Sequence, residues 1–400
     1  MADTLLLRAI VSFLALLAVG AGSLRPPLAP HQNDRRIVAI GDIHGAADEF
    51  VGILQAAGLV DANQHWTGDT AIFVQTGDCF DRGPGVRRVL DLLMRLEDEA
   101  RRGGGRVEVL LGNHEVMNLL REFRDVSPES FASFADQKSE ERRKKAFEEY
   151  AGVAKRAGAD AGAARDEWMK AHPPGFLEYV EALGPKGQYG QWLRAHKTVL
   201  KLDDTILMHA GLSPDTQGTL DDVNRSVEKA LQTWDTTSEA MTRDGLIRPF
   251  FTLKETVEAA VAELQRVSNA MKAGESPGEN VTREYVTRLD ELTKITTSPL
   301  LAGEGPLWYR GLAQETSPEA EERVSALLGR LGAKRFVIGH TPRLPGRITP
   351  RLGGRVFGID TGMLSSFFKG GRASALEIQG ERITAIYTTE REVLSPAEPR

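Results

Sequence analysis

The chain has 400 residues, with 50 Lys and Arg against 56 Asp and Glu for a formal net charge of −6, and is 41% hydrophobic and 26% charged. That balance suits a soluble globular protein of one large or two ordinary domains, and it leaves no basic face for nucleic acid or anionic lipid. A single cysteine, Cys79, excludes an intramolecular disulfide framework and a cysteine-rich zinc site, and it reads as a small buried residue.

Arg8 precedes an apolar run over 9–22, which Pro26, Pro27 and Pro30 follow. The pattern predicts a signal peptide over 1–22, cut near Ala21, and a Pro-rich linker over 23–34. Left uncut, the same segment would be an N-terminal anchor. The run is short for a bilayer span, so no stable membrane insertion is expected unless the segment is retained. Export to a periplasm or the exterior is the expectation. No cysteine follows the run, which excludes a lipoprotein anchor.

Beyond the linker, RRIVAIGDIHG over 35–45 is an apolar strand whose end delivers Asp42 and His44. Phe50, Ile53, Leu54 and Ala57 predict a helix over 47–57 that Gly58 ends. A strand over 70–75 opens into GDCFDRG with Asp78, and a helix over 85–101 follows. A third strand over 107–111 opens into Asn113, His114 and Glu115. Three such alternations argue for an α/β sheet built from crossover units. From about 116 to 201 the chain is charged, helix-prone and without an evident strand. TILMHAG over 205–211 then returns to a strand ending at His209. A second helical insertion over about 218–300 holds an amphipathic helix through Val257, Leu264 and Met271 and a returning helix through Tyr285, Leu289 and Leu292. Insertions beside strand ends can shape the rim of a site or cover it. The last third reads as short strands: RFVIGH with His340, RVFGIDTG over 355–362, ASALEI over 373–378 and RITAIYTT over 382–389. Their Gly-rich turns predict antiparallel pairing, and a mixed sheet or two packed sheets fits better than one doubly wound sheet.

Asp42, His44, Asp78, Asn113, His209 and His340 are six oxygen and nitrogen donors, each just past a strand. They can hold two divalent metals if one carboxylate bridges, and Asp78 lies in the middle of the set. Mixed carboxylate, imidazole and amide donors favour borderline first-row ions over calcium; manganese is the first expectation, with iron or zinc as alternatives. Two metals about 4 Å apart can acidify a shared water and clamp an in-line displacement at phosphorus. Four of the eight histidines fall in these motifs, whereas His31, His65, His172 and His196 have no such setting. Asn113 and His114 are adjacent, and an extended backbone would send them to opposite sides, making two neighbouring ligands to one ion awkward.

GDIHG, GDCFDRG, GNHE, HAG and GHT, in that order, resemble the signature blocks of the calcineurin-like metallophosphoesterases. The DRG and GNHE forms resemble the phosphoprotein phosphatase branch, and GPLWYRG over 305–311 with IDTGM over 359–363 is most similar to the Shewanella-like phosphatases. The resemblance implies an α/β fold with a central mixed β sandwich flanked by helices, here a catalytic domain over 35–392 carrying the two insertions. It implies that Asp42, His44 and Asp78 hold one metal and that Asp78, Asn113, His209 and His340 hold the other. His114 would be the general acid, oriented by Asp81, while Arg82 and Arg310 bind phosphate. The implied activity is metal-dependent hydrolysis of phosphate monoesters, with a phosphorylated protein or peptide as substrate. Small phosphate esters or dinucleoside polyphosphates are the alternative substrates. A noncatalytic metal-binding scaffold is a third reading, disfavoured because ligands and acid pair are complete.

Overall fold

The computed structural model describes residues 35–156 and 165–394, so the expected signal segment over 1–22 and the linker over 23–34 lie outside the described residues. Two mixed sheets form from β1 (Ile37–Ile40), β2 (Ile72–Gln75), β3 (Arg106–Val109), β4 (Val199–Leu202), β5 (Thr205–Met208), β6 (Arg335–Ile338), β7 (Pro350–Arg351), β8 (Val356–Gly358), β9 (Ser374–Gln379), β10 (Arg382–Tyr387) and β11 (Arg391–Val393). One sheet runs β11-β10-β9-β1-β2-β3 and the other β4-β5-β6-β8-β7. In β1, Ile37 and Ala39 pack on the opposite sheet with Leu207, Val337 and Phe357, while Val38 and Ile40 pack under the helices Ala47–Ala56 and Val86–Arg102. Side chains alternate across a strand, so a strand apolar at every position serves two cores at once. The second sheet repeats this: Ile206, Met208, Phe336 and Ile338 face a third cluster with Val324, Leu327 and Leu328 of the helix Pro318–Leu331. The layers are therefore helix, sheet, sheet, helix.

The last third departs from the antiparallel expectation. β9 and β10 do form an antiparallel hairpin, and β9 pairs antiparallel with β1. However, β6 pairs parallel with both β5 and β8. The connection over 339–355 exceeds the dozen or so residues a parallel return needs, and β7 uses part of it to pair with the far edge of β8. β4 falls within the expected first insertion and forms a hairpin with β5 through Asp203, at φ 50°.

Both insertions are helical, and neither stands apart from the core. Phe131, Phe176, Tyr179 and Leu193 of the first, with Leu231, Trp234 and Leu289 of the second, belong to the same buried cluster as the helices on the first sheet. No described helix is long and apolar enough to cross a membrane.

Candidate metal centre

The six expected donors converge at the carboxyl edge of the sandwich. Asp42 and His44 follow β1, Asp78 follows β2, Asn113 follows β3, His209 follows β5 and His340 follows β6, and all six are buried. Loops past strand ends have no ladder to satisfy and can take special backbone angles. Of the ten non-glycine residues with positive φ among those described, five stand here: His44, Asp78, Asp81, Arg82 and His340. L residues hold that conformation only where the surroundings impose it. The glycine before each of two ligands has a steric reason. A Cβ on Gly112 would lie 2.3 Å from Asp78 Oδ1, and one on Gly339 would lie 2.3 Å from Asp42 Oδ1.

Three imidazoles are fixed by main-chain carbonyls. His44 Nδ1 donates to Phe80 O at 2.8 Å, His209 Nδ1 to Thr76 O at 3.2 Å and His340 Nε2 to Trp308 O at 3.2 Å. A carbonyl only accepts, so these nitrogens carry the protons and the opposite ones turn lone pairs into the cleft. There His209 Nε2 faces Asn113 Oδ1 at 2.8 Å, His340 Nδ1 at 3.1 Å and Asp78 Oδ2 at 3.3 Å. Lone pairs this close repel unless a cation stands among them, and the donor types suit a first-row divalent ion. On the other side His44 Nε2 lies 3.7 Å from Asp78 Oδ2 and 3.9 Å from Asp42 Oδ2. Asp78 belongs to both groups of potential ligands. Burial keeps the two flanking imidazoles neutral, lowering His44 to about 3 and, with the neighbouring His209, lowering His340 to about 2. Asp78 is held well below the usual carboxylate range: burial opposes ionisation, but His209, His114 and His44 outweigh it.

His114 differs from these three because its anchor is a carboxylate. Its Nδ1 donates to Asp81 Oδ2, while Nε2 faces the cleft, 3.2 Å from Arg82 Nη2 and 3.8 Å from Asp78 Oδ2. Burial alone would depress this imidazole, yet Asp78 and Asp81 raise it to about 9. The expected extended backbone at 113–114 is not what forms. Asn113–Leu119 is a helix, so the two side chains diverge by about 100° around its axis, and His114 lies close enough to share a potential ligand group with His44 and Asp78. The helix starts there because the Glu115 carboxylate reaches back to Gly112 N at 2.7 Å, as in a capping box.

Arg82 and Arg310 line the same cleft with Trp308, Pro342 and Phe368. Arg82 lies over Phe367 and Phe368 at 5.1 and 5.3 Å and touches His44 Nε2. Arg310 donates to His340 O at 2.8 Å and Thr341 Oγ1 at 3.1 Å. From the first insertion Met117, Arg124 and Asp125 reach the cleft; none of its lining residues comes from 218–300.

Two buried carboxylates escaped the sequence reading. Glu115 accepts from Asp78 N and Cys79 N as well as Gly112 N, each at 2.7 Å. Asp360 follows β8 and is raised to about 6, first by burial and then by the charge of Asp78. Asp360 ends an apolar strand as the six donors do, so the same signal marks it. Glu115 has only the capping-box spacing from Gly112.

A two-sheet sandwich with paired metal-competent groups at its strand ends defines the class, and the chain belongs to the calcineurin-like phosphoesterase family, whose model matches residues 35–248. Within the family its similarity runs to the Shewanella-like protein phosphatases. An uncharacterised protein of Schizosaccharomyces pombe is 31% identical over 83% of this chain and 74% of its own. Shewanella-like protein phosphatase 2 of Arabidopsis thaliana is 39% identical over 26% of each chain. Among solved structures, a cold-active protein-tyrosine phosphatase of a psychrophilic Shewanella species has a TM-score of 0.57 at 24% identity, covering 90% of this chain and 80% of that one, and shares the fold.

Proposed function

We propose that the protein hydrolyses phosphate monoesters on phosphorylated peptides or proteins, with His114 as general acid. The observation that carries this reading is the contrast among the cleft histidines: three are anchored by main-chain carbonyls, whereas His114 is anchored by a buried carboxylate, Asp81, with Nε2 facing the cleft. Asp42, His44 and Asp78 would hold one divalent ion, and Asp78, Asn113, His209 and His340 the other, with manganese the first candidate. When bound, such ions supply an acidified water and positive charge at phosphorus. Arg82 and Arg310 orient the phosphoryl oxygens as planar forks. As the water oxygen bonds to phosphorus and the ester P–O bond breaks, His114 Nε2 gives its proton to the departing oxygen, and Asp81 steadies the ring.

The cleft holds about 150 Å³, below the roughly 300 Å³ at which sites begin to enclose a whole small molecule. It has room for a phosphoryl group but not for a whole nucleotide, so the leaving group would lie outside it, where Trp308 and Phe368 line the cleft and Phe367 is exposed, which favours a substrate presented on a polypeptide.

The test pairs two substrates with one variant. His114→Asn should lose roughly a hundredfold to ten-thousandfold in kcat on an alkyl phosphate, and much less on nitrophenyl phosphate, whose leaving oxygen needs little protonation. Metal content should stay at the unmutated level. Equal losses on the two esters, or a lost metal, would remove His114 from the acid role. A panel of phosphotyrosyl peptides, phosphoseryl peptides and dinucleoside polyphosphates on the unmutated protein decides the substrate; preference for the nucleotides would overturn the polypeptide reading.

A further inference from the structure

We infer that Tyr179, in the first helical insertion, is a positioning residue for the acid pair and acts through Asn118. The inference rests on the acid reading of His114. Tyr179 lies on the helix Phe176–Leu183, far along the chain from every metal donor, yet its hydroxyl donates to Asn118 Oδ1 at 2.7 Å. Asn118 Nδ2 in turn donates to Asp81 Oδ1 at 2.9 Å and to His114 O at 2.9 Å. The other oxygen of Asp81 receives His114 Nδ1. The sequence of contacts therefore runs Tyr179, Asn118, Asp81, His114, and Tyr179, Asn118 and Asp81 have no exposed surface.

Each side-chain polar atom of Tyr179, Asn118 and Asp81 has a partner within the relay. The two acceptors beside Asn118, a carboxylate and a carbonyl, fix which end of its amide carries the nitrogen. That leaves Oδ1 pointing away from the site, buried, with the tyrosine hydroxyl as its donor. A buried acceptor without a donor is costly, so removing the hydroxyl lets the amide shift toward another donor and takes Asp81 with it. Phe131 and Phe134 hold the tyrosine ring edge-on, each with its centroid 5.1 Å away. Burial, then Asp81 and Glu115, push the phenol well above its ordinary value, so it remains a donor throughout the working pH range. The insertion thus supplies the outermost member of the acid machinery as well as part of the cleft's rim.

Tyr179→Phe keeps the ring and deletes the hydroxyl. On the full chain, kcat for an alkyl phosphate should fall roughly fivefold to tenfold, the scale of one buried hydrogen bond expressed at the transition state, while nitrophenyl phosphate changes by less than about twofold. KM and metal content should hold. In an Asp81→Asn background the substitution should have no further effect on the ester ratio. Asn118→Ala should show the same ester dependence as Tyr179→Phe, and the two together should lose no more than Asn118→Ala alone. Equal losses on both esters, an undiminished effect in the Asp81→Asn background, or no effect would each overturn the relay. A His114→Asn variant blind to the leaving group overturns the acid reading and the relay together. A responsive His114→Asn beside an indifferent Tyr179→Phe overturns the relay alone.

Discussion

Glu115 joins the loops after β2 and β3, each of which carries a candidate ligand. Its carboxylate takes N–H groups from Asp78 and Cys79 after β2 and from Gly112 after β3, all at 2.7 Å. Glu115→Gln would keep one acceptor oxygen and turn an amide NH₂ toward a main-chain N–H. Burial and the charge of Asp78 raise this carboxyl to about 7, so the loss of an acceptor, more than loss of charge, sets the cost. Stability should fall by about 1–3 kcal/mol, and the variant should bind metal more weakly, because Asp78 is no longer held in its positive-φ turn. Urea unfolding and metal titration check both; unchanged metal affinity would contradict the positioning role. The convergence of the six donors was legible in the sequence because each follows an apolar run, so that one local pattern carries both the strand and the polar group at its end. The roles of Glu115, Asn118 and Tyr179 were not, since beyond the local bonds of Glu115 to Gly112 and of Asn118 to His114 their partners are brought in from 36 to 61 positions away and no local pattern encodes such a partner.

Both helical insertions pack on the main core, and contacts between the two add to that packing. Leu220–Arg243 opens with a capping box, Thr219 Oγ1 accepting from Asp222 N and Asp222 Oδ2 from Thr219 N, and buries Val223, Val227, Leu231 and Trp234 on one face. Asp235 on this helix meets Arg194 of the first insertion through two bonds, 2.7 and 2.8 Å. The same guanidinium also donates to Leu183 O and Gly190 O at 3.0 Å. Asp235→Ala would leave a half-buried cation with those two carbonyls alone. The expected loss is about 2 kcal/mol, less than the roughly 3–5 kcal/mol of a fully buried broken pair because both side chains keep some contact with water. Denaturant midpoints measure it, and a change below about 0.5 kcal/mol would show the pair to be no more than an exposed one. Activity well below the unfolding temperature should not change. Helical periodicity made Leu253–Lys272 and Arg283–Thr293 readable in advance. The parallel pairing of β6 with β8 was not, because strand direction depends on how a long connection is routed, and composition is silent about routing.

At the scale of the molecule, the candidate metal centre lies where the two sheets meet. Asp42, His44, Asp78 and Asn113 come from the sheet containing β1, and His209 and His340 from the sheet containing β5. A cation held by both sets crosslinks the sandwich, and the unfolded chain has no such site to offer. Divalent ion at a hundred times its dissociation constant should therefore stabilise the fold by about 2.7 kcal/mol, a rise of roughly 3 °C in unfolding temperature for a chain of this length. Scanning calorimetry with manganese and with a chelator measures that difference. It should persist in His114→Asn, which under the proposed assignment touches no metal, and shrink sharply in Asp78→Asn, which removes the shared carboxylate. Calorimetry with no metal-dependent shift would mean that the converging lone pairs of His209, His340 and Asn113 are satisfied by protons, and the two-metal assignment would fail. A shift that survives Asp78→Asn intact would place the ions elsewhere and leave Asp78 as a staple for the helix at His114, whose N–H it accepts at 3.0 Å.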